Sequence, residues 1–252
     1  TEGTSNINLR GLGAGRTLVL INGKRHTFNP YPIVDQQMLY VNTQDIPSMA
    51  VKRIDVLKEG AAAIYGSDAV AGVVNFATRS DFEGLEVKAD YKSLQDSDGD
   101  YGLGFIWGLG NDTTHWVTSV SYDKTSTIST ADKDWAVQDY ASNPQGGWSS
   151  IGNPPSIFNA AWLSDKSAPK YFMDPGCELL GGTIAGLCRL QYTPFSALND
   201  GDTHLKVFSE LNHEFESDTY LHVEVLYSET EVPTTYGSPS YPPQKLVDFA
   251  DR

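Results

Sequence analysis

Leu85-Glu86-Val87-Lys88-Ala89-Asp90-Tyr91 decides how this chain folds. Apolar and charged residues alternate with period two, the mark of a strand whose two faces meet different surroundings. Four more stretches repeat the pattern. Tyr101, Leu103, Phe105, Trp107 and Leu109 alternate mainly with glycines. Trp116, Thr118, Val120 and Tyr122 alternate with His115, Val117, Ser119 and Ser121. Leu205, Val207, Ser209, Leu211, His213 and Phe215 form the fourth series. Leu221, Val223, Val225 and Tyr227 form the fifth, opposite His222 and Glu224. Each series runs for roughly 9–12 residues, the length at which a tilted strand crosses a bilayer.

If these strands span a membrane, their faces are forced. Glu86, Lys88 and Asp90 line a wet lumen, because a lysine at the bilayer midplane costs roughly 2–4 kcal/mol. Leu85, Val87, Ala89 and Tyr91 then face lipid. His115 and His222 fall on the lumen side and His213 on the lipid or interface side. Tyr91, Tyr101, Trp107, Trp116, Tyr122, Phe215, Tyr220 and Tyr227 sit near strand ends, as aromatic girdles do. The connections alternate in length. Gly110-Asn111-Asp112 and Glu216-Ser217-Asp218 are short, whereas Ser93–Gly99, residues 125–200 and Thr230–Arg252 are longer. Short periplasmic turns and longer extracellular loops would produce that alternation.

Composition removes several classes. A net charge of −14 repels a phosphate backbone, so nucleic acid is not an expected partner. With 40% hydrophobic and 20% charged residues the chain is too apolar to be disordered. Apolar runs such as Leu18–Ile21 fall far short of a spanning helix. Thr1-Glu2-Gly3-Thr4 lacks the basic and apolar regions of a signal peptide, so the expectation is that chain is missing before it. Cys177 and Cys188 lie in a stretch containing Gly and Pro, and a local disulfide is expected there, in an oxidising compartment.

Before residue 80 the pattern is mixed. Asn6–Arg10 and Thr17–Asn22 read as strands, and Asn22-Gly23 as a turn. A short helix is expected at Met49–Val51, a strand at Arg53–Lys58, a helix at Ala61–Tyr65 ending on Gly66, and a strand at Val70–Ala77. Gly11-Leu12-Gly13-Ala14-Gly15 looks like a dinucleotide loop, but a strand rather than a helix follows it, so it reads as a turn. Asp96, Asp98 and Asp100 lack the remaining calcium ligands. The five histidines show no metal-ligand spacing, and no nucleophile–base constellation emerges. The expectation is no enzyme, no metal and no cofactor.

Three blocks carry a resemblance. They are Asn8–Gly13 with Arg16–Arg25, Asp45-Ile46-Pro47 with Val51–Gly60, and Ala63–Asn75, which is the most specific. In order and spacing they resemble the plug domain of TonB-dependent outer-membrane receptors, over residues 6 to about 79. The resemblance implies an α+β plug domain, a mixed small sheet with short helices, over 1–79. Antiparallel transmembrane β-barrel strands would follow over 80–252, with a long extracellular loop at about 125–200. Such barrels have about 22 strands. The strands read here make an incomplete barrel, and an energy-coupling segment expected before residue 1 is not in the sequence.

By that resemblance the chain imports a scarce nutrient, such as a carbohydrate or ferric siderophore, into the periplasm of a Gram-negative bacterium. Its partners would be the TonB-ExbB-ExbD energy-transducing system and outer-membrane lipid. Arg25, His26 and Tyr31 are candidates for the plug apex facing cargo, and Trp135, Trp148 and Trp162 for loop residues doing the same. Those tryptophans could equally form the loop's own small core. Arg10, Arg53 and Glu59 are candidates for plug–barrel contacts. A receptor used mainly for signalling or adhesion, and a soluble all-β protein, stay open as alternatives.

Overall fold

The computed structural model describes residues 3–29, 39–152, 154–217, 219–233 and 237. The chain divides into two compact units, one of Thr1–Ser126 with Gly201–Pro233, the other of Thr127–Asp200 with Thr234–Arg252. Among the described residues no helix is long and apolar enough to cross a membrane.

The first unit begins with a four-stranded sheet. Its strands are β1 (Thr17–Ile21), β2 (Lys24–Arg25), β3 (Val51–Leu57) and β4 (Gly72–Thr78), in the order β2-β1-β4-β3. The uninterrupted apolar run of β1 makes it a central strand, buried on both faces. It pairs parallel to β4, which pairs antiparallel to β3. One face buries Val19, Ile21, Val41, Ile46, Val74 and Phe76 together. The other buries Leu18, Leu20 and Val73 under Ala61, Ala69 and Tyr65. The short helix α1 (Ala62–Tyr65) stops at Gly66, whose φ of 83° favours glycine.

The expected strand at Asn6–Arg10 does not form. Leu9–Gly11 is a 3-10 turn with Arg10 at φ 59°. Its neighbours' backbone groups bond to side chains instead of a ladder. Leu9 N–H donates to Thr17 Oγ1 at 3.2 Å and Gly13 N–H to Asn8 Oδ1 at 2.8 Å.

Three long strands follow: β5 (Gly84–Lys92), β6 (Asp100–Gly110) and β7 (Thr114–Thr125). The second unit comes next in the chain. It is built of small strands: β8 (Ile128–Ser129), β9 (Trp148–Ser149), β10 (Ser156–Phe158), β11 (Tyr171–Met173), β12 (Thr183–Ala185), β13 (Leu187–Gln191) and β14 (Ala197–Asn199). A single turn of helix, α2 (Ala161–Ser164), lies between β10 and β11. Cys177 and Cys188 are bonded and buried. Gln191 staples this unit by donating from Nε2 to the carbonyls of Gly146 at 2.8 Å and Ala136 at 3.3 Å.

The chain returns to the first unit with β15 (Asp202–Glu214) and β16 (Tyr220–Glu231). The five long strands form one antiparallel sheet in the order β16-β15-β7-β6-β5. One face carries Leu85, Val87, Leu103, Phe105, Leu109, Trp116, Val223, Val225 and Tyr227. It stays open, with Leu85 65% and Leu103 58% exposed. These residues are not turned into a shared interior, so the strands do not close a soluble sandwich on that face. Tyr101 and Tyr122 meet at one end of it, and Trp107 and Trp116 at the other. Glu86, Lys88 and Asp90 pair in register with Ile106, Gly104 and Gly102 on the opposite face. That face receives the N-terminal sheet.

Candidate functional site

On the inner face of the long sheet, Glu210 of β15 stands directly across from Glu224 of β16, and Asn212 across from His222. Like charges directly opposed on a ladder repel. Glu210 is only 4% exposed, so water relieves little of that repulsion. The pair therefore depends on donors from elsewhere.

The β1–β2 turn of the N-terminal sheet supplies them. Asn22 takes φ 50° and Gly23 φ 77°, the left-handed pair that a tight Asn-Gly hairpin requires. Asn22 Oδ1 accepts the Thr78 N–H at 2.9 Å, which fixes the amide so that Nδ2 points at the carboxylates. From there it donates to Glu224 Oε2 at 3.3 Å and Glu210 Oε2 at 3.5 Å. The Thr78 hydroxyl donates to Glu210 Oε2 at 2.6 Å, and Lys24 Nζ to Glu224 Oε2 at 3.4 Å. Within the wall, Asn212 Nδ2 donates to Glu210 Oε1 at 3.0 Å. His222 bridges the block, with Nδ1 2.6 Å from Asn212 Oδ1 and Nε2 3.3 Å from Glu224 Oε2.

On the neighbouring strands β7 and β6 the same interface is apolar. Met49 packs with Ile106 and Val117, and Phe82 lies against them. Glycines on β6 make this approach possible. A Cβ on Gly104 would come within 2.8 Å of Met49 Sδ, and one on Gly108 within 2.0 Å of the Phe82 carbonyl oxygen. Arg79 closes this side. It lies 4.2 Å over the Phe82 ring and donates to Glu86 Oε2 at 2.9 Å. Nearby, Lys52 Nζ donates to Asp81 at 2.7 Å and holds that carboxyl below its ordinary value.

The residues singled out from the sequence fall elsewhere. Arg10 and Glu59 pair with each other at 3.2 Å, and Arg53 pairs with Asp55 on its own strand at 3.2 Å. Among the described residues none of the three bonds to β5, β6, β7, β15 or β16. Arg25 is held by Asp68 at 2.5 Å and by the Tyr65 carbonyl at 2.6 Å. His26 Nδ1 lies 3.2 Å from Thr27 Oγ1. Tyr31 lies outside the described residues. In the second unit Trp135 is 63% exposed. Trp148 packs edge-on against Tyr140, and Trp162 against Phe158. Lys166 Nζ lies 3.5 Å over the Trp162 ring. Trp148 and Trp162 thus contact other rings of their own unit. A cleft of about 290 Å³ opens on the N-terminal sheet, lined by Leu20, Asp55, Leu57, Tyr65 and Asn75.

The junction residues Asn22, Thr78, Glu210 and Glu224 escaped the sequence reading. Asn22 read as a turn residue and Glu224 as lying opposite the apolar series of its strand, while Thr78 and Glu210 were not singled out. The available signal was a pair of carboxylates on the inner faces of consecutive strands joined by a short turn.

Comparison with known proteins bears on residues and fold. Residues 1–73 match the TonB-dependent Receptor Plug Domain family. The iron-regulated outer membrane virulence protein of Vibrio cholerae, in two strains, is 37% identical over 84 residues. That alignment takes in 31% of this chain and 12% of the relative. A ferric enterobactin receptor from Pseudomonas aeruginosa, solved in complex with enterobactin, superposes with a TM-score of 0.53 at 18% identity. It covers 96% of this chain and 30% of the receptor's own. A second crystal structure of that receptor gives 0.52 at 19% identity, again over 96% of this chain. The chain therefore spans 12% of the curated relatives' length and 30% of the solved receptors'. Its fold, a small mixed sheet with short helices set against antiparallel strands, is that of these receptors.

Proposed function

We propose, from the premise that residues 1–73 are a TonB-dependent receptor plug domain, that this chain is part of an outer-membrane receptor importing a scarce nutrient. Energy transmitted by the TonB-ExbB-ExbD system displaces the plug, and cargo passes to the periplasm. The chain performs no bond chemistry.

One observation carries the reading. A plug-domain sheet is seated on the inner face of strands whose outer face is an open apolar panel bordered by aromatic rings. Such a panel suits hydrocarbon. Among the described residues no strand pairs with the outer edges of β5 and β16, edges that lipid does not tolerate open, and further strands would complete the sheet. Arg10, Arg53 and Glu59 would meet those further strands. The kinship with an iron-regulated protein and the likeness to a ferric enterobactin receptor favour a ferric siderophore over a carbohydrate as cargo. Arg25, His26, Tyr31 and Trp135 are the residues to test for cargo contact.

The test uses the full-length receptor in a Gram-negative host. It should fractionate with the outer membrane and take up radioactive iron from ferric enterobactin, and uptake should stop when TonB is deleted. Recovery in the soluble fraction, or uptake indifferent to TonB, would overturn the reading. Alanine at Arg25 or Tyr31 should weaken binding of that siderophore.

A further inference from the structure

The plug meets the described wall through contacts of two chemistries, and we infer that it is a hinged gate. Release starts at β16, where Asn22 and Lys24 meet Glu224, while the contact with β6 and β7 stays as the pivot. The inference rests on the transporter reading and adds which residues hold the gate shut.

The pivot follows from covalent continuity and packing. From Thr78 at the end of β4 the chain passes Arg79 and Phe82 directly into β5. Arg79 N–H donates to the Ala50 carbonyl at 2.7 Å, tying this link to the plug, while its guanidinium reaches Glu86 on the wall. Ile106 is fully buried and Val117 1% exposed beneath Met49. Separating that contact would expose apolar surface, and water offers nothing in exchange. Gly108 lets the Phe82 backbone lie against β6, so a close fit is built into this side.

The opposite side is held by polar bonds. Glu224 gathers Asn22, Lys24 and His222 on one oxygen. Each of these contacts can be exchanged for one to water when the turn lifts. Leu226, beside Glu224 on β16, adds a partly buried apolar contact to the plug core. Glu210 on β15 is the direct cross-strand partner of Val117 on β7, so the polar and apolar contacts abut and the hold strengthens from β16 toward β6. The Glu210–Glu224 opposition also makes closure reciprocal. The wall's two carboxylates need the plug's donors, and lifting the plug leaves them facing one another.

Thiol labelling of the purified full-length receptor under mild urea tests this. The single reporters are Leu226→Cys on β16 and Val117→Cys on β7. Cys177 and Cys188 are bonded and do not compete. Adding Glu224→Gln should speed maleimide labelling about tenfold at Leu226→Cys and less than about twofold at Val117→Cys, as for a local opening. Asn22→Gly, which removes the bridging amide and keeps the turn, should give the same split. Circular dichroism checks that each variant is folded. Equal acceleration at both reporters would mean the plug leaves as one body, and no acceleration at either would mean these residues do not hold it. Either result overturns the inference. Labelling needs neither cargo nor TonB, so failure of iron uptake would count against the transporter reading alone.

Discussion

Asn22 performs two tasks that substitution can separate. It accepts a left-handed φ, and its amide ties Thr78 to two wall carboxylates. Asn22→Gly should lose only the bonds, at about 0.5–1.5 kcal/mol. Asn22→Ala should lose the same bonds and add about 1 kcal/mol of backbone strain. Urea unfolding of the full-length receptor would order the two, and Ala no worse than Gly would contradict the turn assignment. Lys52 and Asp81 offer a pH test. The lysine's hydrogen bond depresses the Asp81 pKa, so its contribution is present above the ordinary carboxylate range and fades as pH falls through the lowered value. Both side chains are about half or more exposed, so Asp81→Asn should cost under about 1 kcal/mol near neutrality and nothing in strong acid. None of these partnerships was visible in the sequence. Asn22 and Glu224 lie 202 positions apart, and a turn signal says nothing about what its side chain meets.

At the scale of elements the sequence was most readable where the environment has two sides. Period-two alternation located β5, β6, β7, β15 and β16 and separated their faces, because an open apolar face and a face covered by the N-terminal sheet impose opposite chemistry on successive residues. The continuous apolar run of β1 and the largely apolar β4, interrupted by Asn75, were readable for a different reason, since the N-terminal sheet buries both their faces. Asn6–Arg10 misled because short polar side chains took over bonds that a ladder would have used. The glycines of β6 looked like spacers between aromatics, yet two of them face the plug at close range. Gly108→Ala should therefore destabilise the plug–wall contact by about 1–3 kcal/mol, as overpacking does. A matching fall in urea midpoint would be seen. Leu103→Lys, on the outer face, should cost about 2–4 kcal/mol if it sits near the bilayer midplane. Refolding the full-length receptor into vesicles measures this, and a neutral result would place that face outside lipid.

Over the molecule as a whole, the second unit was the least legible part. Its strands of two to five residues are too short to show periodicity. What holds it is a covalent bridge, a glutamine staple and local ring contacts. Replacing Cys177 and Cys188 together by serine should cost about 2–3 kcal/mol in the loop-closure account. Limited proteolysis should then cut between residues 174 and 190, and unchanged resistance would show that the bridge is dispensable.

The rims of the long sheet carry a practical consequence. Expressed by itself in water, the described part of the sheet would present two rows of amides and carbonyls that no described strand claims, beside a greasy panel. Copies would add to copies, rim to rim, as ribbons rather than as separate particles. Keeping such a piece dispersed would take detergent for the panel and something strand-like for the rims.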